Sequence, residues 1–195
     1  VWKGAHAWTG PGRQAFLCGC LASLARNLEH IGGALFCRRG GARAELESLI
    51  RETKAEAVYF NRDPDPYGRA MEATIRELCR EYGIVCHDYQ EAVLHEPHEV
   101  LTGSGQPYKV YTPYSCNWFT LPKTAVLPAV KSLRVPEGIA RGRLPEVADW
   151  GLEWSGELPL EPGEKAARAR LKRAVEQSLS HYEERRNDPA ADATS

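Results

Sequence analysis

Asn61-Arg62-Asp63-Pro64-Asp65-Pro66-Tyr67-Gly68-Arg69 stands between a β-type run, Ala57-Val58-Tyr59-Phe60, and a helical pattern. A residue that precedes proline is kept out of helical geometry, so each Asp is held on extended, stiff backbone and the helix starts at Pro66. The stretch is therefore a strand-to-helix turn at the carboxyl edge of a sheet, where open α/β folds bind their ligands. Two carboxylates fixed there can accept hydrogen bonds from the N–H groups of a heterocycle with little entropic loss. A structural use is equally open: Asp65 as the N-cap of a helix that has Pro66 at its first position.

Outward from that turn, helix and strand alternate. Leu17, Leu21, Leu24, Leu28 and Ile31 mark one face of a helix over 13–31, preceded by Pro11 and ended by Gly32-Gly33. Ala34-Leu35-Phe36-Cys37 reads as a buried strand, and Leu46, Leu49 and Ile50 as the core face of a helix over 42–53. After the strand 57–60, Met71, Ile75, Leu78 and Tyr82 give a helix over 66–82 that Gly83 closes, and Ile84-Val85-Cys86-His87 is a third strand. No hairpin turn separates the strands. The order predicts a Rossmann-like α/β domain of three layers, with parallel strands at 34–37, 57–60 and 84–87 and helices on both faces.

Beyond Asp88 the chain changes character. Thr102-Gly103-Ser104-Gly105-Gln106-Pro107 is turn chemistry, with an extended piece at 108–111 and a short helix after Pro113 expected behind it. Six prolines between 122 and 162 predict a long surface connection. A helix over 164–184 follows, with Ala167, Leu171, Ala174, Leu179 and Tyr182 near one face, and 187–195 is linker-like. The expected organisation is an α/β domain over 1–121, a connection over 122–162, and a helix with linker over 163–195.

Composition narrows the function. With 25 basic and 26 acidic residues the chain has no basic excess, so DNA is expected to be gripped mainly by something else. No apolar run reaches the roughly 20 residues of a membrane span, and the first residues show no secretory leader. The six cysteines form no C-x-x-C pair and are expected to be reduced, as in a cytoplasmic protein, with no metal bound. His95-Glu96-Pro97-His98-Glu99 has Glu where a zinc helix needs its second His, and predicts a solvated turn. Gly103-Ser104-Gly105 lacks the third glycine of a dinucleotide fingerprint. Tyr108, Tyr111, Tyr114, Trp118 and Phe119 are expected to be core or an interdomain contact.

Several segments resemble the amino-terminal domain of the DNA photolyase/cryptochrome family. They are Pro11-Gly12-Arg13, the whole of Asn61–Arg69, the run from Glu96 through Val100-Leu101-Thr102-Gly103-Ser104-Gly105-Gln106-Pro107-Tyr108 to Tyr114, and Glu161-Pro162-Gly163-Glu164 with Arg170-Leu171. The resemblance implies a light-harvesting domain that holds an antenna chromophore, 8-hydroxy-5-deazaflavin or methenyltetrahydrofolate, and passes excitation to FAD on a separate helical domain. The Asp-Pro-Asp-Pro-Tyr-Gly-Arg form is more similar to deazaflavin-binding members. It implies that Asp63 and Asp65 hold the ring, with Arg13 beside the same pocket. The family commonly has Glu at the second carboxylate, where this chain has the shorter Asp65.

Relative to that family, Val1-Trp2 resembles the end of a second strand, so a first strand and helix are expected to be missing. Ala193-Thr194-Ser195 resembles the start of the segment that touches the FAD phosphates, which makes Thr194 and Ser195 candidate flavin contacts. No catalytic residue is expected in this chain, and the chain alone is expected not to repair DNA. Its partners would be the FAD-binding helical domain and, through the full-length protein, damaged DNA. A cryptochrome photoreceptor would carry the same domain. A nucleotide-binding α/β protein acting without light is a further alternative, which the lack of a glycine-rich phosphate loop disfavours.

Overall fold

The computed structural model describes residues 10–91, 93–188 and 190. The described residues fall into two compact units, one of residues 39–129 and one of residues up to 38 together with those from 130 onward.

The first unit is built on a βαβ element. Helix α2 spans Ala42–Thr53, strand β1 Ala57–Asn61, helix α3 Pro66–Tyr82 and strand β2 Val85–Tyr89. The strands pair in parallel, Ala57 opposite Val85 through Asn61 opposite Tyr89. Helix α3 starts where proline geometry demands. Asp65 is its N-cap, accepting from Tyr67 N–H at 2.7 Å, and Pro66 is its first residue. Gly83 ends it in the left-handed conformation, φ 63°, that glycine adopts without a Cβ clash. The core here is small: Ile50, Leu78, Cys79 and Val100 are buried. Arg76 of α3 lies 5.5 Å from the Phe60 ring centroid, so α3 covers the Phe60 face of the sheet. On the opposite face Tyr59, His87 and Tyr89 stack on one another, with Tyr59 and Tyr89 more than half exposed. Helix α4, Tyr111–Thr120, completes the unit.

In the second unit helix α1, Pro11–His30, is wrapped by the proline-rich segment. A Cβ on Gly12 would lie 3.2 Å from the Trp154 ring, and one on Gly19 only 2.4 Å from Pro162. These glycines stand seven residues apart, hence on one face of the helix, and they admit the returning chain. Further along, Leu133 N–H donates to Ile31 O at 2.7 Å, and Arg141 pairs with Glu29 at 3.0 Å. Helix α5, Glu164–Arg173, faces α1 across an open groove of about 750 Å³ lined by Phe16, Leu24, Pro159, Ala167 and Arg170.

Three expectations need correction. Residues 34–37 form no strand: Cys37 N–H donates instead to Arg141 O at 2.7 Å, and a strand needs a ladder partner that no described residue supplies. No extended element forms over 108–111: the only bridge nearby among the described residues joins Leu101 with Pro107, before that piece, and Tyr111 already belongs to α4. Pro113 sits in the first turn of α4, where its missing N–H is harmless. The helix expected over 164–184 breaks after Arg173 into a π-type turn at Ala174–Ser178, a 3-10 turn at Leu179–His181 and a last turn, α6, at Tyr182–Arg185. Leu171, Val175 and Leu179 are each more than half exposed, so no packed face holds that ladder in α register.

Candidate functional site

The turn Asn61–Arg69 lies at the carboxyl ends of β1 and β2, as the sequence predicts. Both readings of its carboxylates have a physical counterpart. Asp63 Oδ1 accepts from Asp65 N–H at 3.0 Å and Asp65 Oδ1 accepts from Tyr67 N–H, so each aspartate closes the backbone two residues on. The capping role of Asp65 is therefore real. Among the described residues Oδ2 of neither aspartate is hydrogen-bonded, and both residues are exposed, so each keeps one oxygen open to a donor. Gly68 faces Asp63 so closely that a Cβ there would stand 2.4 to 2.7 Å from the Asp63 side chain. Only glycine leaves room for that carboxylate over the first turn of α3.

Behind the turn is an ion network that sequence reading missed. Glu72, 7% exposed, accepts from the Asp63 N–H through Oε1 at 2.7 Å and pairs through Oε2 with Arg76 at 3.0 Å. Arg76 continues to Asp88 Oδ2 at 2.9 Å, Asp88 Oδ1 meets Arg62 at 2.5 Å, and Arg62 reaches Glu96 at 3.0 Å. Hydrogen bonds from Arg76 and then Arg62 hold the Asp88 carboxyl below its usual range. The signal was present as the four-residue spacing of Glu72 and Arg76 on one helix. Nothing local pointed to their partners on β2 and beyond it.

The His95–Glu99 segment is a turn, as expected, and Pro97 to Glu99 are exposed, but its first two residues are not solvated. His95 and Glu96 are buried, and His95 stands edge-on to Trp118 with ring centroids 5.3 Å apart. Glu99 accepts from Glu96 N–H at 2.5 Å and from Gln90 at 3.1 Å, and the first of these bonds chiefly lowers its pKa. The Gly103–Gly105 run is a turn as read, with Gly105 N–H donating to Thr102 O at 2.8 Å. The aromatic group is not core throughout: Tyr111 and Phe119 are exposed, while Tyr108 pairs edge-on with Tyr114 and Trp118 with Phe119. All six cysteines are free. Burial, and then the Cys86 thiol, push Cys79 up to about 11, so it stays a protonated thiol at neutral pH.

Arg13 is exposed in the first turn of α1, in the other unit. Its neighbour Gln14 is fully buried, and neither end of its amide has a hydrogen-bond partner among the described residues. Thr194 and Ser195 lie outside the described residues.

Fold and turn together define an open α/β domain with hydrogen-bond acceptors at the carboxyl edge of its parallel strands. The family model for DNA photolyase matches residues 2–132, and the chain belongs to that family. It is 34% identical over 193 residues to a deoxyribodipyrimidine photo-lyase of Synechococcus sp. (strain PCC 6301), covering 95% of this chain and 40% of that protein. It is 37% identical over 184 residues to an uncharacterized 31.6 kDa protein from the atpI 5′ region of Synechococcus sp. strain PCC 6716, covering 93% of this chain and 65% of the other. The crystal structure of a bacterial class III photolyase from Agrobacterium tumefaciens superposes with a TM-score of 0.83 at 32% identity, over 95% of this chain and 40% of that one. The chain thus spans about two fifths of the length of these photolyases. No described helix is long and apolar enough to cross a membrane.

Proposed function

We propose that this chain is the light-harvesting, chromophore-binding α/β domain of a deoxyribodipyrimidine photolyase, the enzyme of light-driven DNA repair. The observation that carries the reading is the pair of open carboxylate oxygens, on Asp63 and Asp65, fixed by proline at the carboxyl edge of a parallel sheet. Both are pure acceptors and suit a ring that presents N–H groups, such as 8-hydroxy-5-deazaflavin or, as the second choice, methenyltetrahydrofolate. A bound antenna supplies absorption of light and transfer of the excitation to FAD. The protein's part is to hold and orient the ring through Asp63 and Asp65.

The same reading assigns residues 1–121 to the antenna domain, 122–162 to the connection, and 163–195 to the approach to an FAD-binding helical domain, with Thr194 and Ser195 beginning the flavin-phosphate segment. Damaged DNA would be engaged through the rest of the protein, consistent with the near-neutral charge of this part. The working compartment would be the cytoplasm.

The test is the ratio of antenna to flavin absorbance in the purified full-length protein. Asp63→Ala and Asp65→Ala should each lower antenna affinity about five- to a hundredfold, the loss expected for one hydrogen bond to a buried ring N–H. Flavin content and DNA affinity should stay at wild-type values. If both variants remain folded and keep the wild-type ratio, the carboxylates are turn and cap only.

A further inference from the structure

The alternation Asp63-Pro64-Asp65-Pro66 removes two backbone donors from the turn, because neither proline has an N–H. Two more, those of Asp65 and Tyr67, are closed by the turn's own carboxylates. The Arg62 N–H joins Tyr89 O of β2 at 2.7 Å. The Asp63 N–H is held by a side chain from outside the turn, Glu72 in the second turn of α3. Followed onward, the contacts close a ring: Asp63 to Glu72, Glu72 to Arg76, Arg76 to Asp88, Asp88 to Arg62, and Arg62 back to Asp63 through the peptide bond. Gly68 closes the other side of Asp63.

We propose that Glu72 is the positioning residue of the antenna turn: through this ring it sets where the open Asp63 oxygen meets the chromophore. The inference rests on the antenna reading above and adds a residue to it. A carboxylate so little exposed is unfavourable unless paired and hydrogen-bonded, and here both of its oxygens are used, one on the turn itself. Removing the acceptor frees the Asp63 backbone while leaving both antenna carboxylates in the chain. Glu72 touches no chromophore atom in this scheme. It acts through Asp63.

The experiment is a titration of the purified full-length protein with 8-hydroxy-5-deazaflavin, and in parallel with methenyltetrahydrofolate, read by the induced circular dichroism of the bound ring. Hydrogen exchange at the Asp63 amide is read alongside. Glu72→Ala should weaken binding about tenfold and speed exchange at Asp63. Glu72→Gln, which keeps an acceptor for the Asp63 N–H, should stay within about threefold of wild type. Tyr82→Phe, which removes hydrogen bonds to Glu47 and Arg51 from the far end of α3, should leave affinity unchanged. Should Glu72→Ala not fold, Glu72→Asp keeps a charge for Arg76 but withdraws the acceptor, and is expected to behave as Ala. Wild-type affinity in Glu72→Ala or Glu72→Asp, or an equal loss in Tyr82→Phe, overturns the positioning role. If Asp63→Ala abolishes binding while Glu72→Ala does not, this inference alone falls. If the full-length wild-type protein takes up neither probe, the antenna reading falls and takes it along.

Discussion

Helix α3 and the segment from Glu164 to Arg185 read alike in sequence, yet the first is one unbroken helix of 17 residues and the second fragments after ten. Both have apolar residues at helical spacing. What separates them is what each end and each face meets. Asp65 caps α3, Gly83 terminates it, and its apolar side buries Leu78 and Cys79. Helix α5 starts from Gly163 at φ 113° without a side-chain cap, and the stripe Leu171, Val175, Leu179 faces solvent. Periodicity proposes a helix, and burial decides whether it persists, because isolated helices of this length are marginal in water.

The largest way to break that contrast is in the core. Leu78→Ala should destabilise the chain by about 2–5 kcal/mol through transfer and cavity terms, whereas Leu171→Ala should stay within about 0.5 kcal/mol. Urea midpoints at constant m-value measure both. Equal losses would mean that the Leu171 stripe is covered in solution.

A middle-sized effect tests whether cover also explains the glycines of α1. Helix propensity alone predicts that Gly19→Ala stabilises, by roughly 0.5–1 kcal/mol. The new Cβ would instead meet Pro162 at 2.4 Å, with ring atoms that cannot swing away, so a loss of about 1–3 kcal/mol is expected. A raised thermal midpoint for Gly19→Ala would show that the 159–163 segment does not pack on α1.

The smallest effect sharpens the electrostatic side. Asp88 has its carboxyl pKa depressed in the folded state by hydrogen bonds from Arg76 and Arg62. A depressed carboxylate contributes stability that is fully present above its unfolded value, about 3.9 for Asp, and is lost as pH falls through the lower folded value. Unfolding free energy should therefore drop between neutral pH and acid, and Asp88→Asn should flatten that drop while lowering stability at neutral pH. A pH profile of Asp88→Asn parallel to wild type would show that the ring contributes nothing through its charge.

How far the sequence reached differs in the same physical terms. The bounds of α2 and α3, the parallel strands at 57 and 85, and the turn at 102–107 were all legible, because proline, glycine and local apolar spacing act within a few residues; α4 was expected only after Pro113 and begins earlier, at Tyr111. The strand expected at 34–37 was not formed, because extension needs a partner chosen elsewhere in the chain, and Cys37 finds Arg141 instead. The π-type turn at Ala174–Ser178 was equally invisible, since solvent exposure is not a property of spacing.

At the candidate site the division falls between Asp65 and Glu72. The Asp-Pro-Asp-Pro alternation, by itself, determined that both carboxylates stand on stiff extended backbone where a strand gives way to a helix. It also offered Asp65 as the cap of that helix, which the hydrogen bond from the Tyr67 N–H two residues on then shows. Only the tertiary structure decided that Glu72 takes the Asp63 N–H and that the ring closes through Arg76, Asp88 and Arg62. Those contacts join a helix, a strand and a turn, and pairings of that kind exist only after the sheet has set its register.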